Sequence, residues 1–167
     1  MKKYKLLPEN KIEIYEKTLY QIQAYEKTLY QIQAIVSFGS VLDGELGGYI
    51  ETEKNLSQEN NAWVYDGAWV SGDAWVYGDA RVYGNAWVYG DARVYGNAWV
   101  YGDARVYGNA RVSGNARVSG DARVYGKLKL LAGFFFGVRY KKEEIKFEKI
   151  DDDYDLIYKG EAKFGED

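Results

Sequence analysis

The sequence predicts an all-β protein whose centre is a solenoid of short strands. Residues 61–126 consist of eleven copies of one six-residue unit, Asp/Asn-Ala-Trp/Arg-Val-Tyr-Gly. A short period that continues over many copies is the sequence signature of a solenoid. In every unit an alanine stands two positions before the valine, as Ala62 stands before Val64. Helical periodicity is absent, so we expect each unit to form a strand and a corner.

The alternation within each unit predicts which side chains face the core. Residues two apart in an extended strand point to the same side, so Ala and Val point inward. The Trp or Arg between them and the Tyr after them point outward. The Gly-Asp or Gly-Asn pair that follows predicts a corner, because both residue types tolerate positive φ. We therefore expect the valines and alanines of the array to be buried.

The unit resembles that of the hexapeptide-repeat proteins, which form left-handed parallel β-helices. In that family three hexapeptides make one triangular coil, with an aliphatic residue inside each strand and a small residue near each corner. Val64 with Ala68, and Val82 with Ala86, fit this pattern. The glycine differs, because here it follows Tyr, whereas in many members of the family it directly follows the aliphatic residue. The resemblance implies a left-handed parallel β-helix with eighteen residues per coil over residues 61–126.

With eighteen residues per coil, outward side chains eighteen positions apart stack on one side of the prism. Stacked rings and Arg–Trp pairs would stabilise the coils, with about 0.5–1 kcal/mol for each exposed cation–π contact. Alternatively they form a contact surface, because Trp, Tyr and Arg dominate interface hot spots. The sequence leaves both open. The predicted stacks are Trp63, Arg81, Trp99 and Arg117 on the first side, Trp69, Trp87, Arg105 and Arg123 on the second, and Trp75, Arg93 and Arg111 on the third.

Residues 1–60 are expected to cap the N-terminal end, whose strand edges would otherwise be exposed. Polar and apolar residues alternate over residues 4–34, which predicts a β-hairpin or small sheet, with a helix over residues 16–34 as the alternative. The segment YEKTLYQIQA occurs twice, at 15–24 and 25–34, and we expect the second copy at most to lengthen a strand or form a loop. Ile50 and Leu56 suggest an irregular first coil. Residues 51–60 shift the phase by two residues before Val64, and residues 46–60 are interpreted as the N-terminal capping turn.

The repeat ends in the sequence after Gly126, and residues 127–167 are expected to form a small antiparallel β cap. Residues 128–140 are apolar and aromatic, with three adjacent phenylalanines at 134–136, and strand candidates lie at 144–150, 154–158 and 161–164. The three phenylalanines would be either the core of the cap or a partner contact.

Composition argues against several activities. The chain contains no histidine and no cysteine. Acyltransferases of the hexapeptide-repeat family use a histidine base, and carbonic anhydrases of that fold bind zinc through histidines, so neither activity is expected. Ser-His-Asp triads, most zinc sites and disulfides are excluded with them. Asp151, Asp153 and Asp155 have the spacing of a calcium loop, but Leu156 stands where that loop requires glycine. We expect no catalytic residues, no metal and no cofactor.

Charge and patterning also bear on location and partners. A net charge of −3 gives no general attraction to nucleic acid or membrane. No apolar run reaches membrane-spanning length and the opening MKKYKLLPEN lacks a signal-peptide core, so we expect a cytoplasmic protein with no membrane partner and no small-molecule substrate. Hexapeptide-repeat relatives are often trimers, which leaves homo-oligomerisation open.

The NAWVY array behind a glycine-rich segment also resembles small phage or prophage proteins of low-GC bacteria. That resemblance implies a non-enzymatic interaction protein in a bacterial host cell. It would bind and inhibit a host protein or ribonucleoprotein, such as a CRISPR defence complex. The competing hypothesis is a structural solenoid that recognises carbohydrate, with Trp and Tyr stacking on sugar rings.

The arginine-rich end of the array is the predicted partner site. The four final units all carry arginine, whereas tryptophan is concentrated in the first half of the array. Like charges on neighbouring coils repel each other, and an acidic protein groove or an RNA backbone would offset that repulsion. The predicted contact residues are Arg93, Tyr101, Arg105, Tyr107, Arg111, Arg117, Arg123 and Tyr125.

Overall fold

The computed structural model describes residues 2–17, 24–136, 139–140, 145–149 and 155–159. Across these residues the chain forms β-strands and one short 3₁₀ helix (Glu53–Asn55). No helix among them has the length and apolar character needed to cross a membrane. The strands are β1 (Tyr4–Lys17), β2 (Ala24–Ala34), β3 (Leu46–Ile50), β4 (Trp63–Val64), β5 (Trp69–Val70), β6 (Trp75–Val76), β7 (Arg81–Val82), β8 (Trp87–Val88), β9 (Arg93–Val94), β10 (Trp99–Val100), β11 (Arg105–Val106), β12 (Arg111–Val112), β13 (Arg117–Ser119), β14 (Arg123–Val124), β15 (Lys129–Leu130), β16 (Phe134–Phe136), β17 (Arg139–Tyr140), β18 (Ile145–Lys149) and β19 (Asp155–Lys159).

The repeats form three-sided coils in which residues eighteen apart are neighbours. Val64 lies opposite Val82, and Val82 lies opposite Val100, in parallel pairs. The Tyr83 amide donates to the Val100 carbonyl at 3.0 Å, one of a series of such bonds between coils. The predicted all-β solenoid, its coil length and its stacks of outward residues are therefore confirmed. The first side contains β4, β7, β10, β13 and β16, the second β3, β5, β8, β11, β14 and β17, and the third β6, β9, β12 and β15.

The core is a column of small aliphatic side chains. The valines and alanines of the eleven units are at most 1% exposed, as predicted. Each fully buried valine contributes roughly 1.5–3 kcal/mol relative to an exposed one. The repeat glycines from Gly72 to Gly126 have φ between 57° and 70°, which turns the chain at each corner. The sequence alternation thus fixes the interior, and the glycines fix the three-sided shape.

The first coil begins before the regular array. Ile50 lies opposite Val70, and Leu56 bridges to Val76, so these partners are twenty positions apart instead of eighteen. The predicted irregular first coil and its two-residue shift are confirmed. Asn55 fills the irregular corner, where its side-chain amide donates to the carbonyls of Gly72 and Ala74, both at 2.9 Å. Residues 46–60 are therefore part of a coil and not only a capping turn.

An antiparallel hairpin of β1 and β2 closes the N-terminal end and joins the second side through β3. The predicted hairpin is confirmed over the described residues, and the helix alternative is wrong. The second copy of the duplicated segment forms β2, where Leu29 and Ile32 are fully buried. The small role expected for that copy is therefore wrong, because it supplies part of the core. Residues 18–23 of the first copy lie outside the described residues.

Lys3 and Trp63 lie beneath this cap. The Lys3 ammonium donates to the carbonyls of Glu59, Asn60 and Ala62 at 3.3, 3.2 and 2.9 Å. Burial lowers the pKa of Lys3 to about 8, and the carboxylate of Asp79 partly opposes that shift. Trp63 is fully buried and its ring centroid lies 5.4 Å from that of Phe38. The sequence predicted an outward Trp63; the N-terminal segment covers this side chain, which a repeat pattern cannot reveal.

Coils continue beyond the boundary predicted at residue 126. In parallel register Val112 lies opposite Leu130, and Val118 lies opposite Phe135. Leu128 and Leu130 are fully buried at the positions that alanine and valine occupy earlier, so the spacing of six continues for one more unit without the repeat's residue identities. Among the described residues after 126, antiparallel pairing is found between β18 and β19, which match two of the predicted strands. The third candidate, at 161–164, lies outside the described residues.

Candidate macromolecule-binding surfaces

The structure distributes the eight predicted contact residues over all three sides of the solenoid. It therefore does not bring them together into one surface, because consecutive units face directions one third of a turn apart. The second side carries the largest group. Tyr101 and Arg117 belong to the first side, Arg105, Tyr107, Arg123 and Tyr125 to the second, and Arg93 and Arg111 to the third.

On the second side, cations and tyrosines form two adjacent columns. The Arg105 guanidinium lies 4.1 Å from the ring centroid of Trp87 and has Arg123 as its neighbour on the next strand. The rings of Tyr107 and Tyr125 stack with centroids 5.2 Å apart and planes within 6°. Asp103 and Asp121 precede the two arginines by two positions each. This side therefore presents stacked tyrosine rings beside two arginines, and the two aspartates offset the charge of the arginines.

On the first side, the arginines lie over aromatic rings. The Arg117 guanidinium lies 4.3 Å from the ring centroid of Trp99 and 5.2 Å from that of Phe134. Tyr83 and Tyr101 stack with centroids 4.9 Å apart. Burial raises the pKa of Tyr83, and the neighbouring Tyr101 adds to that shift. These contacts support the stabilising role of the stacks on this side.

A shallow groove of about 330 Å³ crosses the beginning of the first side. The Tyr65 hydroxyl lies 3.2 Å from the Ser40 hydroxyl at its edge. The groove combines aromatic faces with hydroxyl, carboxylate and guanidinium groups, which are the groups that bind small polar ligands. Its lining residues are Ser40, Tyr65, Asp66, Arg81, Tyr83 and Trp99.

The third side differs because the side chains before its valines reach solvent. Trp75 is 39% exposed, and Arg93, Arg111 and Lys129 are also exposed. The corresponding residues of the first and second sides are half-buried or buried from Trp63 to Arg123. Lys129 was absent from the predicted set, although its position six residues after Arg123 was a signal that could have revealed it.

Tyrosines line the beginning of this third side as well. Tyr77 and Tyr95 stack with centroids 4.8 Å apart and planes within 5°, and Trp75 stacks on Tyr77 at 4.0 Å. Burial and Tyr95 raise the pKa of Tyr77, and the guanidinium groups of Arg93 and Arg111 partly offset that increase. The positive field of the two arginines therefore reaches the tyrosine stack.

The described titratable groups outside the three sides lie mainly at the N-terminal cap. Among the described residues, no group of three or more His, Cys, Asp or Glu side chains is placed to hold a metal ion. The buried Tyr4 hydroxyl donates to the Leu56 carbonyl at 2.7 Å, and Lys3 is likewise bonded to main-chain carbonyls. Both groups serve the N-terminal cap, and neither lies in the groove described above.

Comparison with protein-family models finds the YdcK beta-solenoid repeat at residues 74–90, 86–102, 104–120 and 116–127. All four matched segments lie within the coils, and the N-terminal cap and the residues after 127 are not matched. No curated protein matches the chain. Together with the stacked parallel coils, the match identifies a β-solenoid repeat protein.

Proposed function

We propose that this solenoid is a non-enzymatic binding protein whose outward side chains contact a macromolecular partner. The observation that carries the proposal is the pair of columns on the second side, where Arg105 and Arg123 run beside the stacked Tyr107 and Tyr125. Tyr and Arg are enriched among the residues that contribute most to interfaces. Because the coils already hold these rings in place, little side-chain entropy is lost on binding.

The partner that we propose for this surface is a host protein or a ribonucleoprotein, contacted through the tyrosine rings and the two arginines. The finer form of the proposal is a phage or prophage inhibitor of a bacterial defence complex of the CRISPR type. Its support is the resemblance of the array to small prophage proteins, together with a surface of Tyr and Arg and no histidine in the chain. Inhibition would follow from occupation of a surface that the defence complex needs for its own substrate.

Paired substitutions test the proposal. The variant Arg123→Ala/Tyr125→Ala removes one arginine and one tyrosine from the second side, and Arg81→Ala/Tyr83→Ala removes the same types from the first side as a control. Each protein would be used to capture partners from a bacterial lysate, and saturable binding would be measured with the purified partner. We expect the first variant to weaken binding at least about tenfold, which is about 1.4 kcal/mol, and the control to bind like wild type.

The inhibitor hypothesis has its own readout. Expression in cells with active CRISPR immunity should restore plaque formation by a targeted phage, and Arg123→Ala/Tyr125→Ala should abolish that effect. Binding that is unchanged in this variant would place the partner site elsewhere. A purified partner bound without any loss of immunity would leave a binding protein that is not an inhibitor.

The groove on the first side favours carbohydrate recognition as a second candidate. Trp99 and Tyr83 line it together with Arg81 and Asp66, whose guanidinium and carboxylate groups can hydrogen-bond to sugar hydroxyls. A glycan array should then show a ligand class whose signal disappears in Trp99→Ala. A silent array, or a signal unchanged in that variant, would reject this candidate.

A further inference from the structure

The third side carries a row of cations that we name the basic stripe: Arg93, Arg111, Lys127 and Lys129. All four side chains are exposed. Strands β9, β12 and β15 pair directly, so Arg111 has Arg93 on one side and Lys129 on the other. Neighbouring strands are about 4.8 Å apart, which makes the stripe continuous along the solenoid axis.

The corner residues before these strands make the stripe more positive towards the C-terminal end. Positions eighteen apart change from Asp91 to Asn109 to Lys127, so the stripe contains four cations beside one carboxylate. The second side has Asp103 and Asp121 at the same corner positions before its arginines, which balances the charge there. A strongly positive row thus exists locally in a chain whose net charge is −3.

Stacking on aromatic rings does not account for the stripe. Arg105 and Arg117 lie 4.1 and 4.3 Å from tryptophan ring centroids, and such contacts explain why arginine suits those positions. Within the described part of the chain, Arg93 and Arg111 have neither a ring beneath the guanidinium nor a carboxylate in ion-pair contact. Adjacent like charges repel by about 1 kcal/mol at 4 Å in water, and an anionic ligand would relieve this repulsion.

Aromatic residues continue the stripe towards the N-terminal end. Trp75 pairs across strands with Arg93 and is the most exposed of the five tryptophans. Behind it, Tyr77 and Tyr95 form a stack that holds the indole in place. A positive track followed by an aromatic platform is the combination that binds single-stranded nucleic acid, because phosphates follow the cations and bases stack on the rings.

We propose that the third side binds single-stranded nucleic acid, with phosphates along the basic stripe and a base stacked on Trp75. The stripe is one cation wide on each strand, which fits a single phosphate backbone better than the two backbones of a duplex. The proposal concerns a different side from the partner surface above, and it stands whether or not the second side binds a protein.

Fluorescence anisotropy with labelled oligothymidylate and oligouridylate, measured at several salt concentrations, tests this proposal. The variant Arg93→Ala/Arg111→Ala/Lys129→Ala removes three charges from the stripe. The control Lys5→Ala/Lys11→Ala/Lys54→Ala removes three exposed charges from the segment before the array, which lies outside all the proposed surfaces. We expect the stripe variant to bind at least about tenfold more weakly. The plot of log K against log salt should also become less steep by about 2, since each single-strand phosphate contact contributes about 0.7 to the magnitude of its slope. The control should change affinity by less than about threefold, because it leaves every cation of the basic stripe in place.

Trp75→Ala separates stacking from charge. It should weaken binding while leaving the salt slope unchanged, because it removes a ring and no cation. Circular dichroism of each variant would show that the coils remain folded.

Four results would overturn the proposal. They are the absence of single-strand binding at low salt, equal losses in the two triple variants, tighter binding of a duplex, and tighter binding of polyglutamate. The last result would assign the stripe to an acidic protein.

Discussion

Two corner glycines with nearly the same backbone conformation test how closely the coils stack. Gly102 has φ +68° and Gly126 has φ +69°. A Cβ added at Gly102 would lie 2.9 Å from the Gly120 amide nitrogen and 3.3 Å from its Cα, whereas at Gly126 no described atom lies within 4 Å. The two alanine substitutions therefore share the conformational cost and differ in the steric one.

The expected magnitudes follow from these distances. Left-handed backbone costs alanine about 1–2 kcal/mol, and the smaller entropy of the unfolded chain returns about 0.4–1 kcal/mol. Gly126→Ala should therefore lower the free energy of unfolding by roughly 0–1.5 kcal/mol. Gly102→Ala should lower it by about 1–3 kcal/mol more, because the contacted atom is backbone of the next coil and cannot rotate away.

Urea unfolding followed by circular dichroism and tryptophan fluorescence measures both variants on one scale. The informative quantity is the difference between them, since the conformational term cancels. Equal losses in Gly102→Ala and Gly126→Ala would refute the reasoning, because they would mean that the corners of neighbouring coils do not restrict each other.

Three further predictions concern the cap and the stacks. Burial lowers the pKa of Lys3 from its ordinary value of 10.5 to about 8 in the folded protein. Between these two values the unfolded chain binds more protons than the folded protein, so the free energy of unfolding increases as pH rises through this window and decreases as pH falls. The urea midpoint should therefore rise between pH 8 and pH 10, and Lys3→Met should remove this rise; a rise of equal size in the variant would contradict it. Deleting residues 15–24 should leave the thermal midpoint within a few degrees of wild type, because Ile14 keeps Lys27 as its partner and two residues remain to close the hairpin; loss of soluble folded protein would count against this. Arg105→Ala should lower the free energy of unfolding by about 0.5–1 kcal/mol, because it loses the Trp87 contact, while Arg93→Ala should change it little; equal urea midpoints in these two variants would reject the distinction.

The interior of the solenoid could be predicted from the sequence because one local rule decides it. A valine two positions after an alanine, followed by a glycine corner, specifies strand, core and coil length together. The coil of eighteen residues also predicts the register, with Val64 beside Val82, and the structure places it there. Even the irregular first coil could be inferred, from the spacing of Ile50, Leu56 and Val64.

The ends could not be predicted in the same way, because tertiary contacts decide them. Leu130 continues the coils although it shares no identity with the repeat, and only its spacing and burial show that it belongs there. Leu29 belongs to a copy of a duplicated segment, and identical sequences cannot show which copy packs on the core. The candidate site was only partly foreseeable for a similar reason. The run of arginines in the final units points to both Arg105 and Arg111. It does not show that Arg105 is half-buried on the second side whereas Arg111 is exposed on the third.

The three-sided coil has a consequence for how such a chain can change length. Eighteen residues return the chain to the same side, so gain or loss of a whole coil would lengthen or shorten the prism by about 4.8 Å and keep every column of side chains in line. Gain or loss of a single unit would instead rotate everything after it by a third of a turn relative to the N-terminal cap. Tryptophans would then meet different partners, and the cations after Trp75 would no longer lie in its column. We therefore expect tolerated insertions and deletions in the array to contain three units or a multiple of three, whereas a change of length in the hairpin, which lies outside the repeating coils, leaves the columns in line.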